Sequence, residues 1–155
     1  MDGNRSGVGA GNACFGKAGF GAGTTTTITT ANAIVFANKH VLYSKAAAAN
    51  AASPTVDSAT GGAFKPVPPG SMCVFALGFS AAGTLMAAQG QVVLAGDDYG
   101  SRYPIVPDTM TVCGAVKVVV AAAGAAWTFG TSNNSGANLA FTWQDLMGLP
   151  AYPAV

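Results

Sequence analysis

The sequence predicts an all-β fold, a β-sandwich or jelly roll of short antiparallel strands with an extended Gly-rich N-terminal arm. Three observations predict it. Short runs rich in Val, Ile, Phe and Thr recur along the chain, bounded by Gly, Pro, Asn or Asp. No stretch carries the apolar repeat of a long amphipathic helix. The 155 residues fit a single domain, and no longer repeat interrupts the pattern. The expected organisation is an arm over residues 1–23 followed by one β-sandwich domain over residues 24–155.

The arm is read from Gly3, Gly7, Gly9, Gly11, Gly16, Gly19, Gly21 and Gly23, which leave too little side chain for a core. Such a segment is expected to order only against another surface. The run from Thr24 to Thr30 then changes character, because β-branched residues are stiff at χ1 and favour a pleated strand. Ala33 to Ala37 and His40 to Ser44, separated by Asn38-Lys39, predict a β-hairpin. Lys45 to Ala52 is Ala-rich and predicts one or two helical turns, stopped by Ser53-Pro54. A loop follows as far as Pro68-Pro69-Gly70.

The second half predicts a meander. Strands are expected over Met72 to Phe79, Thr84 to Ala88 and Gln91 to Ala95, with turns at Ser80 to Gly83 and Gln89-Gly90. Asp97 to Gly100 is a polar turn, and two prolines make Tyr103 to Asp108 a loop or an edge. Thr111 to Ala121, centred on five residues around Val118, is the strongest strand. Trp127 to Gly130 alternates like a short strand, and Phe141 to Pro150 reads as one helical turn or a terminal strand.

Charge is scarce. Charged residues make up 8% of the chain, with six Asp, no Glu, and seven Lys plus Arg. A monomer of this size exposes roughly 7,000 Å², which leaves about one charge per 500 Å². So thin a coat suits a surface covered by other chains. A net charge of +1 leaves no electrostatic footprint for nucleic acid or anionic lipid. The uncharged stretch between Lys65 and Asp97 is broken by Pro66, Pro68, Pro69, Gly70, Gly78, Gly83 and Gly90, so no membrane span is expected. Cys14, Cys73 and Cys113 have no close metal spacing, and their odd number argues against a disulfide framework. Cys73 and Cys113 lie in apolar runs, where buried thiols are expected. No apolar signal region follows Met1, which together with the thiols fits synthesis in a reducing cytoplasm.

No catalytic, cofactor-binding or metal-binding residue emerges. Gly11 to Ala18 matches the spacing of a phosphate loop, but Ala18 stands where Ser or Thr would hold magnesium, and no apolar strand precedes it. His40 is the sole imidazole, so a Ser-His-Asp triad would depend on it, and no nucleophile elbow accompanies it. Asp97 and Asp98 are adjacent acids without a calcium-loop pattern, which reads as a solvated turn. Trp127, Phe129, Phe141 and Trp143 serve a core or a subunit contact, with a sugar-stacking platform as the alternative. Asn133-Asn134-Ser135 is a glycosylation sequon that carries no weight without a secretory signal.

In order and character, several of these segments resemble small structural proteins of tailed-phage virions. They are the Gly-rich lead, Thr24 to Thr30, Val41 to Ala47, Phe75 to Thr84, Gln89-Gly90, Cys113 to Val119, Trp127 to Thr131 and Thr142 to Leu146 before Pro150. The resemblance covers most of residues 20–150 and points to capsid decoration, or cement, proteins. It implies a β-sandwich or jelly roll acting as a homotrimer on the capsid exterior, with the major capsid protein as partner and no cofactor or catalytic residue. The expected function is to stabilise the head by bridging capsid subunits. The alternative is a receptor- or glycan-binding β-sandwich of a phage fibre, using the region of Trp127 and Trp143.

Overall fold

The computed structural model describes residues 11–97 and 103–147, and over these it is all-β, with antiparallel sheets and no helix. The strands are β1 (Ala13–Cys14), β2 (Phe20–Ala22), β3 (Ile28–Thr30), β4 (Ile34–Asn38), β5 (Val41–Lys45) and β6 (Ala48–Ala51). The second half adds β7 (Ser71–Phe79), β8 (Leu85–Gln89), β9 (Val93–Leu94), β10 (Thr111–Val120) and β11 (Leu139–Asp145). One layer is a sheet in the order β11-β10-β7-β8, with β9 also paired to β7. Facing it are two three-stranded sheets, β1-β4-β5 and β2-β3-β6.

The large sheet is built on β7 and β10, the two longest strands, and their alternation makes the core. Cys73, Phe75, Leu77 and Phe79 of β7 point into the sandwich, and all are buried. On β10 the inward set is Thr111 and Cys113, then Val116, Val118 and Val120. The parity switches because a bulge interrupts the register between Val112 and Gly114, leaving Cys113 as the extra residue. Two aromatic clusters fill the space between layers. Phe20, Phe79, Phe36 and Tyr43 stack at one end. Phe64, Phe75, Trp127 and Phe129 pack at the other and extend through Phe141 to Trp143. Behind the sheet, the Pro-containing segment from Tyr103 to Met110 lays Val106 and Met110 against Ala76 and Ala88.

Several expectations change. The glycine-rich lead carries core after all. Over residues 11–23 it supplies β1 and β2 and buries Cys14, Ala18 and Phe20, while residues 1–10 lie outside the described residues. Its glycines permit close approach: a Cβ on Gly114 would stand 2.4 Å from the Phe20 ring, so lead and sheet meet through a glycine on the sheet side too. The Ala-rich run is strand β6 rather than helical turns. Asn50 within it has φ 56°, a left-handed conformation that no helix accommodates. The threonine run is half turn and half strand. Asn50 Oδ1 accepts from the N–H of Thr24 and from the Thr27 hydroxyl, folding the first half back, and pairing begins at Ile28. The hairpin is confirmed with its turn one residue later, at Lys39-His40. Trp127 makes an isolated bridge to Val67, and the C-terminal segment is strand β11.

Candidate interaction surface

The phosphate-loop match folds as part of the sandwich. Asn12 is buried, and its amide donates to the carbonyls of Asp108 (2.8 Å) and Met110 (3.3 Å) while accepting from Lys39 N–H (2.7 Å). Asn38 donates to the Thr111 hydroxyl at 3.1 Å, and that hydroxyl donates to Ala37 O at 2.7 Å. These buried polar groups tie the β4–β5 hairpin and the lead to the entrance of β10, so the segment serves the packing of the sandwich.

His40 is an exposed turn residue, and its N–H donates to Gly11 O at 2.9 Å. No described serine–histidine–aspartate arrangement appears in its hydrogen bonding. Asp97 is exposed, and Asp98 lies outside the described residues, as do Arg102 and Pro150. Among the described residues no group of three or more His, Cys, Asp or Glu could hold a metal ion. No helix among them is long and apolar enough to cross a membrane. Trp127 and Phe129 are core residues at 3% exposure, which removes both rings from a sugar-stacking role, while Trp143 is half-buried on β11. Asn134 of the sequon donates its amide to Thr27 O at 3.0 Å and ties its loop to the threonine turn.

Two aspartates have structural roles that the sequence did not signal. Asp57 is buried and accepts from the N–H of Ala59 and Gln89 and from the Thr60 hydroxyl, organising the loop beside β8. Asp145 accepts from Gly19 N–H at 2.9 Å and from Phe20 N–H at 3.4 Å, pinning β2 to the end of β11. At Asp57 the donors stand two and three residues on, at Ala59 and Thr60, whereas those of Asp145 come from the far end of the chain.

One apolar sheet face is partly exposed, with Ala13 and Ala37 buried within it, while Ile105 and Leu94 are exposed singly elsewhere. In β1-β4-β5, cross-strand partners share a face, giving one row of Ala13, Ala37 and Leu42 and the next of Phe15, Val35 and Ser44. Neither row holds a charge. Phe15, Val35 and Leu42 are 55%, 46% and 66% exposed. At the hairpin tip Val41 is also exposed and lines an open depression of about 370 Å³ with Lys39, Tyr43 and Thr109. The nearest ion pair, Lys39 to Asp108 at 3.6 Å, is solvated on both sides. The surface can therefore bury hydrophobic side chains against a partner, and it is poorly equipped to hold a polar substrate.

No family model, no curated protein and no solved structure matches this chain.

Proposed function

We propose that this chain is a non-enzymatic structural protein of a virion, which decorates and stabilises a capsid by bridging major capsid protein subunits. It acts as a homo-oligomer, with a trimer favoured, on the capsid exterior after synthesis in the host cytoplasm. The observation that carries this reading is the uncharged face of β1-β4-β5, where Phe15, Val35 and Leu42 stand open to solvent. Large side chains grouped on a rigid sheet without interspersed charge are the composition of an interface centre. Many identical copies on a shell need only modest contacts each, because multivalent attachment multiplies retention.

The test strips the protein from heads, adds it back, and follows co-sedimentation and capsid melting. Wild-type protein is expected to rebind and raise the melting temperature. The Val35→Glu/Leu42→Glu variant is expected to keep its circular dichroism and lose at least tenfold in affinity, about 1.4 kcal/mol. Wild-type protein that neither rebinds nor changes melting rules the reading out. The glycan-binding alternative now rests on Trp143 without Trp127, and retention on immobilised glycan that disappears in Trp143→Ala would favour it.

A further inference from the structure

The two rims of the large sheet are finished differently. Along β8 the main-chain groups that turn away from β7 have partners. Ser58 N–H donates to Ala87 O at 2.8 Å, and Gln89 N–H donates to the Asp57 carboxylate at 3.0 Å, so the loop around Asp57 closes that rim. On β11 the even-numbered residues bond to β10, since Ala121 N–H donates to Asn138 O and Leu146 N–H to Cys113 O at the two ends of one register. The odd-numbered residues therefore turn their N–H and C=O groups outward. At one end the lead covers the rim, where Asp145 accepts from Gly19 and Phe20, and at the other Leu139 N–H turns back to Gly136 O. Between them, the main-chain groups of Phe141 and Trp143 have no hydrogen-bond partner among the described residues.

An open rim invites another strand unless charge, proline or a bulge discourages it. From Leu139 to Gln144 there is no charged residue and no proline, and the register with β10 is unbroken. Ala140 and Thr142 are exposed on the outer face. On the sandwich side Leu139, Phe141 and Trp143 pack against the core yet stay half-buried, and the Phe141 and Trp143 rings stack at 5.9 Å.

The occupant that fits this rim is the same strand of a second copy. A two-fold axis sets the two strands antiparallel, so one rim supplies both its own donors and its own acceptors. The covered Asp145 end sets the register. Centred on Phe141, each strand uses Leu139 to Trp143 and stays clear of the lead. Phe141 then exchanges both main-chain bonds with its counterpart, and Trp143 N–H reaches the Leu139 carbonyl of the other copy. Ala140 of one copy lies opposite Thr142 of the other, so no like charges meet, and the half-buried rings gain cover.

We propose that two copies of this chain join through β11, antiparallel about Phe141, into one continuous sheet. The joint is separate from the β1-β4-β5 face and does not rest on the capsid reading. So short a joint falls below the roughly 1,200 Å² of a stable complex, and its Kd is expected at about 10 to 100 µM.

Sedimentation velocity of the full-length protein from about 5 to about 500 µM is expected to show a reversible doubling of mass. Amide exchange at Phe141 and Trp143 is expected to slow as concentration rises. Ala140→Glu/Thr142→Glu should weaken the doubling at least tenfold with unchanged circular dichroism, as should Ala140→Lys/Thr142→Lys, and mixing the two variants should restore it. Val35→Glu/Leu42→Glu should still double. A mass that never doubles, a doubling that survives both β11 charge variants, or one abolished by Val35→Glu/Leu42→Glu instead would overturn the proposal. If a β11 variant fails to fold, the wild-type amides decide the matter: exchange at Phe141 and Trp143 that is independent of concentration overturns it.

Discussion

At the scale of single residues, the closest packing lies where backbone meets backbone. A Cβ on Gly78 would stand 2.0 Å from Thr111 O, a main-chain atom that cannot turn aside. Gly78→Ala is therefore expected to cost about 3 kcal/mol or more in urea denaturation, by forcing β7 and β10 apart at the bulge. Tyr103 gives a pH signature. Burial raises its phenol well above the ordinary value, and its hydroxyl has no hydrogen-bond partner among the described residues. Above about pH 10 an unfolded tyrosine releases its proton while folded Tyr103 retains it, so stability falls as pH rises through that range. Tyr103→Phe should flatten this alkaline decline in thermal melts and leave stability at pH 7 unchanged or about 1 kcal/mol higher. Residue type announced some of these roles and hid others. The valines of β10 were legible as core because alternation and β-branching agree. Asp57 and Asp145 were not, because an aspartate that accepts backbone N–H groups looks the same in a sequence as one in water.

At the scale of elements, legibility follows length and locality. β4, β5, β7, β8 and β10 have five or more residues with their own periodicity, and their existence was readable from the chain. β1, β2 and β6 have two to four residues, and partners elsewhere make them strands. The Ala-rich run shows the competition plainly. Alanine has the best helix propensity, but so short a run cannot offset the cost of a helix nucleus, and β3 offers ready pairing. Turn chemistry explains the one-residue shift in the hairpin. Lys39 and His40 have φ 50° and 66°, the left-handed pair that a tight two-residue hairpin demands and that Asn-Gly satisfies with less strain. Lys39→Asn with His40→Gly is expected to stabilise the protein by about 1 kcal/mol, read as a higher urea midpoint at constant slope. The bulge in β10 left no trace in the sequence, since both parities there are apolar. Yet it determines which residues line the core.

At the scale of the whole molecule, the low charge content acquires a location. Two of the six aspartates, Asp57 and Asp145, serve as internal hydrogen-bond acceptors, so the coat facing water is thinner still. The face containing Val35 and Leu42 is the place where that thinness concentrates, and the same double glutamate variant should be the more soluble protein at high concentration. The candidate surface was legible only as a global property, a shortage of charge. Which strands carry it depends on register, and register depends on pairing between segments far apart in the chain. The two strands of the lead occupy the outer positions of two different sheets, β1 beside β4 and β2 beside β3. One continuous stretch thus covers one open rim on each, in a protein with few charged gatekeepers to discourage sheets from joining. It is also translated ahead of β3, β4, β5 and β6, before either sheet is complete, and can seal each rim as that rim forms. A ragged or clipped lead would leave the core strands intact and their hydrogen-bonding rims bare, which is the condition for fibrous association rather than orderly assembly.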